Sequence, residues 1–301
     1  MSYLHLNQPL IVANIDKLVK GALFSHISFE ETKKQLNDLY GPFMDIFDDG
    51  LFYSETIHAF IGSTESIVGD SYPNNVFWDH DKTQRFIRAL SSYKNDIEAE
   101  TRAWRYNEGQ NKNNVVSLVR NLTDQYSKLL FVVVDLKYAT ETSHHVTIDG
   151  FNDDMRKIRE LISNKKTCFE HLQGYAWALE QGGKNGGLHC HLLLIYNGSE
   201  RQKDGYLGKA VGEKWQSITS GLGTYYNWNT LENKLKFEEK GKLGIGMIHR
   251  DNPLEVENAE IVASYLAKTD KYEQQLKLWL PNMRTFGQSQ FDVPWRRNKK
   301  R

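Results

Sequence analysis

The stretch Gly187-Leu188-His189-Cys190-His191-Leu192-Leu193-Leu194-Ile195 decides the interpretation of this chain. Its apolar residues predict a buried β-strand. Side chains two residues apart in a strand point to the same face, so the imidazoles of His189 and His191 project together. Their backbone positions are about 6–7 Å apart, which allows both rings to bind one divalent metal ion. Cys190 points to the opposite face, and we therefore exclude it from the predicted site.

A glycine-rich connection, residues 181–187, joins the histidine strand to a second apolar stretch at residues 175–180. Two such stretches with a turn between them predict a β-hairpin. Glu180 ends the first strand and is the candidate third ligand, because Mg²⁺ and Mn²⁺ prefer carboxylate oxygen. A solvated charge beside a turn is the alternative for Glu180. For the histidine pair the alternative is two structural side chains with hydrogen-bond partners.

The residues around this hairpin predict an α+β domain. We expect an antiparallel sheet of about five strands with helices packed on one face, because strands and helices alternate along this part of the chain. The predicted elements besides the hairpin are a central apolar strand at 129–136, helices at 149–164 and 206–219, a short edge strand at 244–250, and a helix capped by Asn258 that runs to about Leu280.

The chain divides by composition into three predicted parts. Residues 1–124 form a mostly helical accessory region without a catalytic motif, with helices predicted at 29–40 and from Asp81 to about Tyr106. Residues 125–292 form the sheet domain, and residues 293–301 form a basic tail. The formal net charge is zero, but residues 1–128 carry 13 basic and 17 acidic side chains and residues 129–301 carry 25 and 21. Because the tail is basic, it could contact phosphate groups, and the alternative is a solvated, disordered end.

The bulk composition is that of a globular protein, with 40% hydrophobic and 25% charged residues in a chain of 301. No apolar run is long enough to span a bilayer, and the first residues lack a secretory pattern. The chain has two cysteines, Cys168 and Cys190, which is not the pattern of a disulfide framework. We therefore expect a cytoplasmic protein without a membrane partner.

A candidate nucleophile lies in the run Tyr265-Leu266-Ala267-Lys268. On the predicted helix, Tyr265 and Lys268 share a face. A nearby ammonium favours the phenolate, and a metal ion that polarises a phosphate lowers the barrier to its attack. Tyr206 begins a second run of this type, but Gly208 interrupts its helix. Tyr272 lies two turns beyond Tyr265 and is a further candidate for a second nucleophile.

The order of strand, histidine hairpin and Tyr-x-x-Lys run resembles the HUH endonuclease superfamily. Within it, the sequence is most similar to the inovirus-type rolling-circle replication initiators, over about residues 125–292. The resemblance implies Mg²⁺ or Mn²⁺, a nick in single-stranded or extruded DNA at a replication origin, and a covalent 5′-phosphotyrosine. It implies that His189 and His191 are metal ligands, with Glu180 as the third. It also makes Tyr265 the nucleophile and Lys268 the cation that positions the phosphate.

The expected function is therefore a site-specific single-stranded DNA endonuclease and ligase that initiates rolling-circle replication. A relaxase or a transposase of the same superfamily is an alternative, and so is a non-catalytic DNA-binding repressor. A zinc hydrolase is disfavoured, because the chain has neither a His-Glu-x-x-His run nor a Cys-x-x-Cys pair.

Overall fold

A computed structural model describes residues 7–182, 187–268 and 271–291, and for Asn74 only the backbone. The fold is α+β, as predicted, with an antiparallel sheet of six strands, helices around it and a helical region before it. The predicted basic tail and residues 183–186 of the glycine-rich connection lie outside the described residues. Among the helices of the described part, none combines the length and the apolar character needed to cross a bilayer.

The region before the sheet is built mainly of helices, as the sequence predicts. One predicted helix, from Asp81 to about Tyr106, is wrong as a single element, because a 3₁₀ turn at Ser91–Tyr93 divides it. The Ser92 hydroxyl donates to the carbonyl of Ala89 at 2.8 Å, a local bond of the kind that competes with regular helix geometry. The elements are α1 (Gln8–Leu23), α2 (Phe29–Ile46), β1 (Phe52–Tyr53), α3 (Glu55–Val68), α4 (His80–Leu90) and α5 (Lys94–Gln125).

The rest of the chain contains the predicted central strand, the hairpin and the edge strand. Three further strands were not predicted, because they are only two to five residues long and have no apolar alternation. The elements are β2 (Lys128–Tyr138), α6 (Ile148–Ser163), β3 (Leu172–Gly182), β4 (Gly187–Asn197), α7 (Asp204–Ile218), β5 (Gly223–Asn227), α8 (Leu231–Glu238), β6 (Gly246–His249), α9 (Pro253–Ser264), β7 (Leu278–Trp279) and β8 (Phe286–Gln288).

The main sheet has the order β5-β2-β4-β3-β8, and all its strand pairs are antiparallel. Strand β2 is long enough to pair with β6 along Lys128–Phe131 and with β5 along Val134–Tyr138, on the same edge. Strand β1 pairs with β7 in a separate two-stranded sheet, which joins the N-terminal region to the segment after α9.

Helices cover both faces of the main sheet, whereas we expected helices on only one face from the sequence. Leu192 and Leu194 of β4 pack in one apolar cluster with α6 and α7, and Leu193 and Ile195 pack in a second cluster with α5 and α9. The cause is visible in the sequence, since an uninterrupted apolar run is typical of a strand buried on both sides. By the same alternation, His191 lies on the α5/α9 face, and His189 lies beside it.

Helix α9 differs from the predicted helix at both ends. Its N-cap is Asn252, whose side chain accepts from the Glu255 amide, and Pro253 occupies the first turn. Asn258, the predicted N-cap, lies inside the helix and donates to the carbonyl of Gly241 at 3.1 Å. The helix ends at Ser264 rather than near Leu280, and Tyr265 is its C-cap. Tyr265 and Lys268 therefore do not share a face of one continuous helix.

The N-terminal helices contact the segment that follows α9. The Lys277 ammonium lies 3.7 Å from Asp16 of α1, and the side chains are only 4% and 3% exposed. Asp16 also accepts from the Thr56 hydroxyl at 2.6 Å. The amide of Gln181, next to Glu180, accepts from the Lys277 backbone and donates to the carbonyl of Pro9. These contacts thus connect helix α1 to strand β3 and to the segment before β7.

Replacement of Asp16 by alanine is expected to lower the free energy of unfolding by about 3–5 kcal/mol, because it leaves the buried Lys277 ammonium without its carboxylate. Urea denaturation monitored by circular dichroism measures the effect. Asp38 is exposed on α2, so the matched variant Asp38→Ala should change stability by less than about 0.5 kcal/mol. Equal stabilities of the two variants would contradict the bracing role of Asp16.

Candidate metal centre

Three side chains of the hairpin converge on one point. The register of β3 and β4 places Glu180 opposite His189 and Ala178 opposite His191. Oε2 of Glu180 lies 3.4 Å from Nε2 of His189 and 3.0 Å from Nε2 of His191. One ligand atom from each residue lies within 4.8 Å of the other two. This Glu–His–His group could hold a metal ion. Cys190 is fully buried on the opposite face, as predicted.

Both imidazoles are oriented by an acceptor at their other nitrogen. Strand β2 places Asp135 opposite His191, and Nδ1 of His191 donates to Oδ1 of Asp135 at 2.5 Å. Nδ1 of His189 lies 3.2 Å from the carbonyl of Gly187. Each ring therefore directs Nε2 towards Glu180. A histidine whose far nitrogen donates to a carboxylate or a carbonyl is the usual form of a metal-binding histidine.

Lys271 brings a positive charge to the same group. Its ammonium lies 2.8 Å from Oε1 of Glu180 and 3.4 Å from Nε2 of His191. Glu180 is 7% exposed, and a carboxylate at this depth requires a counter-charge. Lys271 therefore neutralises Glu180 by donating to both of its oxygens, at 2.8 Å to Oε1 and 3.1 Å to Oε2, and Oε2 also faces the two imidazoles.

The charges of the site shift its ionisation strongly. Burial alone would raise the pKa of Glu180, but hydrogen bonds from the two histidines and Lys271 hold that pKa well below its usual range. Burial alone would lower the pKa of His191, but the carboxylates of Asp135 and Glu180 outweigh it and raise the pKa to about 9. The metal-free site therefore holds an imidazolium at neutral pH, and metal binding must release its proton.

The metal-free protein is expected to lose stability as the pH rises from about 6.5 to about 9. His191 binds its proton more tightly in the folded state, where its pKa is about 9, than in the unfolded state. The contribution of His191 to the free energy of unfolding is therefore complete below about pH 6.5. It is lost as the pH rises through the pKa of the folded state. Thermal denaturation in EDTA across this range measures the decline. His191→Gln should flatten it, and an identical pH profile for both proteins would refute the assignment.

Tyr265 lies on the α5/α9 face of the sheet, at the C-terminal end of α9. Its side chain is 51% exposed, and the Lys268 ammonium lies over its ring, 3.5 Å from the centroid. Lys268 also lines a cavity of about 370 Å³ whose wall includes Glu180 and Lys271. The structure thus brings Tyr265 to Lys268 and Lys268 to the cavity beside Glu180. Neither Tyr265 nor Lys268 has a hydrogen bond to the Glu–His–His group within the described residues.

The two other candidate tyrosines have different surroundings. The Tyr272 hydroxyl donates to Glu100 at 3.1 Å, and the Lys20 ammonium lies 4.5 Å from its ring centroid. Burial raises the pKa of Tyr272, which disfavours its phenolate. Tyr206 is exposed on α7, which packs on the sheet face opposite to the imidazoles. The arrangement therefore favours Tyr265 over Tyr206 and Tyr272 as the candidate nucleophile.

Sequence reasoning missed two residues of the site. Asp135 is the one charged residue in the apolar run 129–136 and is 3% exposed. A charge inside a buried strand requires a partner, and this signal could have identified it. Lys271 carries no such signal, because its contact with Glu180 depends on where α9 ends.

The chain matches a known protein family. Residues 93–289 match the family described as the YagK/YfjJ C-terminal domain. The match covers about two thirds of the chain, begins next to α5, and includes β2, the hairpin, α9 and Lys271. No curated protein and no solved structure shows significant similarity to the chain.

Proposed function

The chain belongs to the YagK/YfjJ C-terminal domain family, and we propose that it is a metal-dependent endonuclease that nicks single-stranded DNA through Tyr265. One observation carries the proposal. Two imidazoles and a carboxylate converge on the sheet face where α9 ends at a half-exposed tyrosine. The resemblance of the His-x-His and Tyr-x-x-Lys runs to HUH endonucleases supports the same reaction.

Mg²⁺ or Mn²⁺ is the proposed metal. The ligand atoms would be Oε2 of Glu180 and Nε2 of His189 and His191, and the carboxylate oxygen is the ligand type that Mg²⁺ and Mn²⁺ prefer. When bound, the metal supplies positive charge that polarises a phosphate oxygen. The acceptors at both Nδ1 atoms fit this role, because they fix the rings with Nε2 towards the ligand position.

The proposed reaction is a transesterification. The phenol of Tyr265 gives its proton to solvent, and its oxygen forms a bond to the scissile phosphorus. The bond from phosphorus to the 3′ oxygen breaks, and that oxygen takes up a proton. One ester bond replaces another, so no nucleotide cofactor is required and the reverse reaction can rejoin the strand. The Lys268 ammonium over the ring favours the charge that develops on the phenolate.

The product would carry a free 3′-hydroxyl, which can prime DNA synthesis, and a 5′ end linked to Tyr265. This product suits an initiator of rolling-circle replication acting at an origin. A relaxase or a transposase would use the same chemistry on different DNA. Both cysteines are free, which fits the reducing environment of the cytoplasm, the proposed location.

The test is the formation of a covalent adduct. A pool of single-stranded oligonucleotides of random sequence, labelled at the 3′ end, is incubated with the protein and Mn²⁺ and separated on a denaturing gel. We expect a labelled band at the protein's position that EDTA abolishes. Absence of the band with both Mn²⁺ and Mg²⁺ would refute the nuclease. DNA binding without the band would favour a repressor.

A further inference from the structure

The cavity beside Glu180 lies between α5 and the segment after α9. Its volume of about 370 Å³ is in the range of small-ligand pockets. Two partly buried indoles line it, Trp104 from α5 and Trp279 from β7. Trp104 is held edge-on against Tyr272, with ring centroids 5.6 Å apart. Flat aromatic walls of this kind suit the stacking of a planar ring.

Polar groups of α5 occupy one side of the cavity. The Asn111 amide donates to Oε1 of Glu108 at 2.9 Å, and both residues line the cavity. Burial raises the pKa of the Glu108 carboxyl. A carboxyl and a carboxamide together offer donors and acceptors, as the edge of a nucleobase requires.

The cavity borders the metal centre on the Glu180 side, and the two imidazoles line a neighbouring cavity. Glu180 and Lys271 belong to both, and Lys268 lines the cavity and contacts the Tyr265 ring. Three glutamates line the cavity, and the two ammonium groups provide contacts for a phosphate beside them. A nucleotide placed here would direct its phosphate to the lysines and its base towards Trp104.

We propose that this cavity binds one unstacked base of single-stranded DNA, next to the scissile phosphate, between Trp104 and the Glu108–Asn111 pair. This inference rests on the proposed function, since it assigns the substrate's position at the same site. The base is recognised by stacking and by hydrogen bonds to its edge, so the protein should prefer certain bases at that one position.

The experiment measures the coupling between Trp104 and a single base. An oligonucleotide selected from the random pool for binding is synthesised with one abasic site at each position in turn. Binding is measured by fluorescence anisotropy with Mn²⁺ in the Tyr265→Phe background, which removes cleavage. One abasic position should weaken binding by roughly tenfold or more, the scale of a lost base stack. In a protein that also carries Trp104→Ala, the same abasic site should not weaken DNA binding.

The controls separate the cavity from the fold and from the chemistry. Trp104→Phe should retain the abasic effect, as should Tyr106→Ala, which alters a 68% exposed side chain on the same helix. Asn111→Ala gives a second test if Trp104→Ala does not fold, and should relax base preference at that position. An abasic effect that is the same with and without Trp104 would overturn the inference. Adduct formation without this coupling refutes the base pocket alone, whereas coupling without an adduct refutes the nuclease alone.

Discussion

Replacement of His191 by alanine is expected to lower the affinity for Mn²⁺ by more than about 100-fold. The change removes one of three ligand atoms and deprives the carboxylate of Asp135, 3% exposed, of the hydrogen bond from Nδ1 of His191. The electron paramagnetic resonance signal of free Mn²⁺ measures binding directly and does not depend on any DNA reaction. The same loss is expected for His189→Ala, since both imidazoles direct Nε2 to Glu180.

Asp135→Asn should give a smaller loss, about 10- to 100-fold, because it keeps an acceptor for Nδ1 of His191 but removes the charge behind it. His58→Ala provides the matched control, since His58 is exposed on α3 of the N-terminal region. Circular dichroism in EDTA establishes that each variant is folded. If His191→Ala binds Mn²⁺ as tightly as His58→Ala, the Glu–His–His group is not a metal site.

The part of the site that the sequence predicted is the part governed by local geometry. Alternation along β4 places His189 and His191 together and turns Cys190 away, whatever the rest of the chain does. The short connection makes β3 and β4 neighbours, so Glu180 comes opposite His189. These conclusions need only strand periodicity and hairpin pairing, and both can be read from a run of about twenty residues.

The contacts that the sequence did not predict depend on distant pairings. Asp135 reaches His191 through the register of β2 against β4, across 56 positions of the chain. Lys271 reaches Glu180 because α9 ends at Ser264, and a helix continuing to Leu280 would have placed it elsewhere. Helices α5 and α9 also cover the second sheet face through contacts between distant parts of the chain. Such contacts are set by packing and not by local pattern.

The contacts of the N-terminal helices also depend on pairings between distant parts of the chain. Residues before 93 lie outside the family match, yet Asp16 contacts Lys277, and β1 pairs with β7. Tyr272, which follows Lys271 directly, donates to Glu100 of α5. The position of the Lys271 ammonium at Glu180 thus depends on helices on both sides of the family boundary. A truncated protein that begins at residue 93 would therefore lose support on one side of the metal centre.

Replacement of Tyr265 by phenylalanine is expected to reduce the covalent DNA adduct by at least about 1,000-fold, the scale of losing a nucleophile. The variant keeps the ring over which the Lys268 ammonium lies, so the loss isolates the phenol oxygen. Mn²⁺ binding should be unchanged, because Tyr265 is not one of the ligands. Adduct formation with 3′-labelled oligonucleotides measures the effect on the reaction.

The two other tyrosines supply the decisive comparison for this variant. Tyr206→Phe should retain full activity, because α7 places this residue on the sheet face opposite to the imidazoles. Tyr272→Phe removes a hydroxyl that already donates to Glu100, and it should also retain the adduct. An adduct that persists in Tyr265→Phe and disappears in Tyr272→Phe would transfer the nucleophile to Tyr272. An adduct that persists in all three variants would exclude each of these phenols as the attacking group, and with them the proposed mechanism.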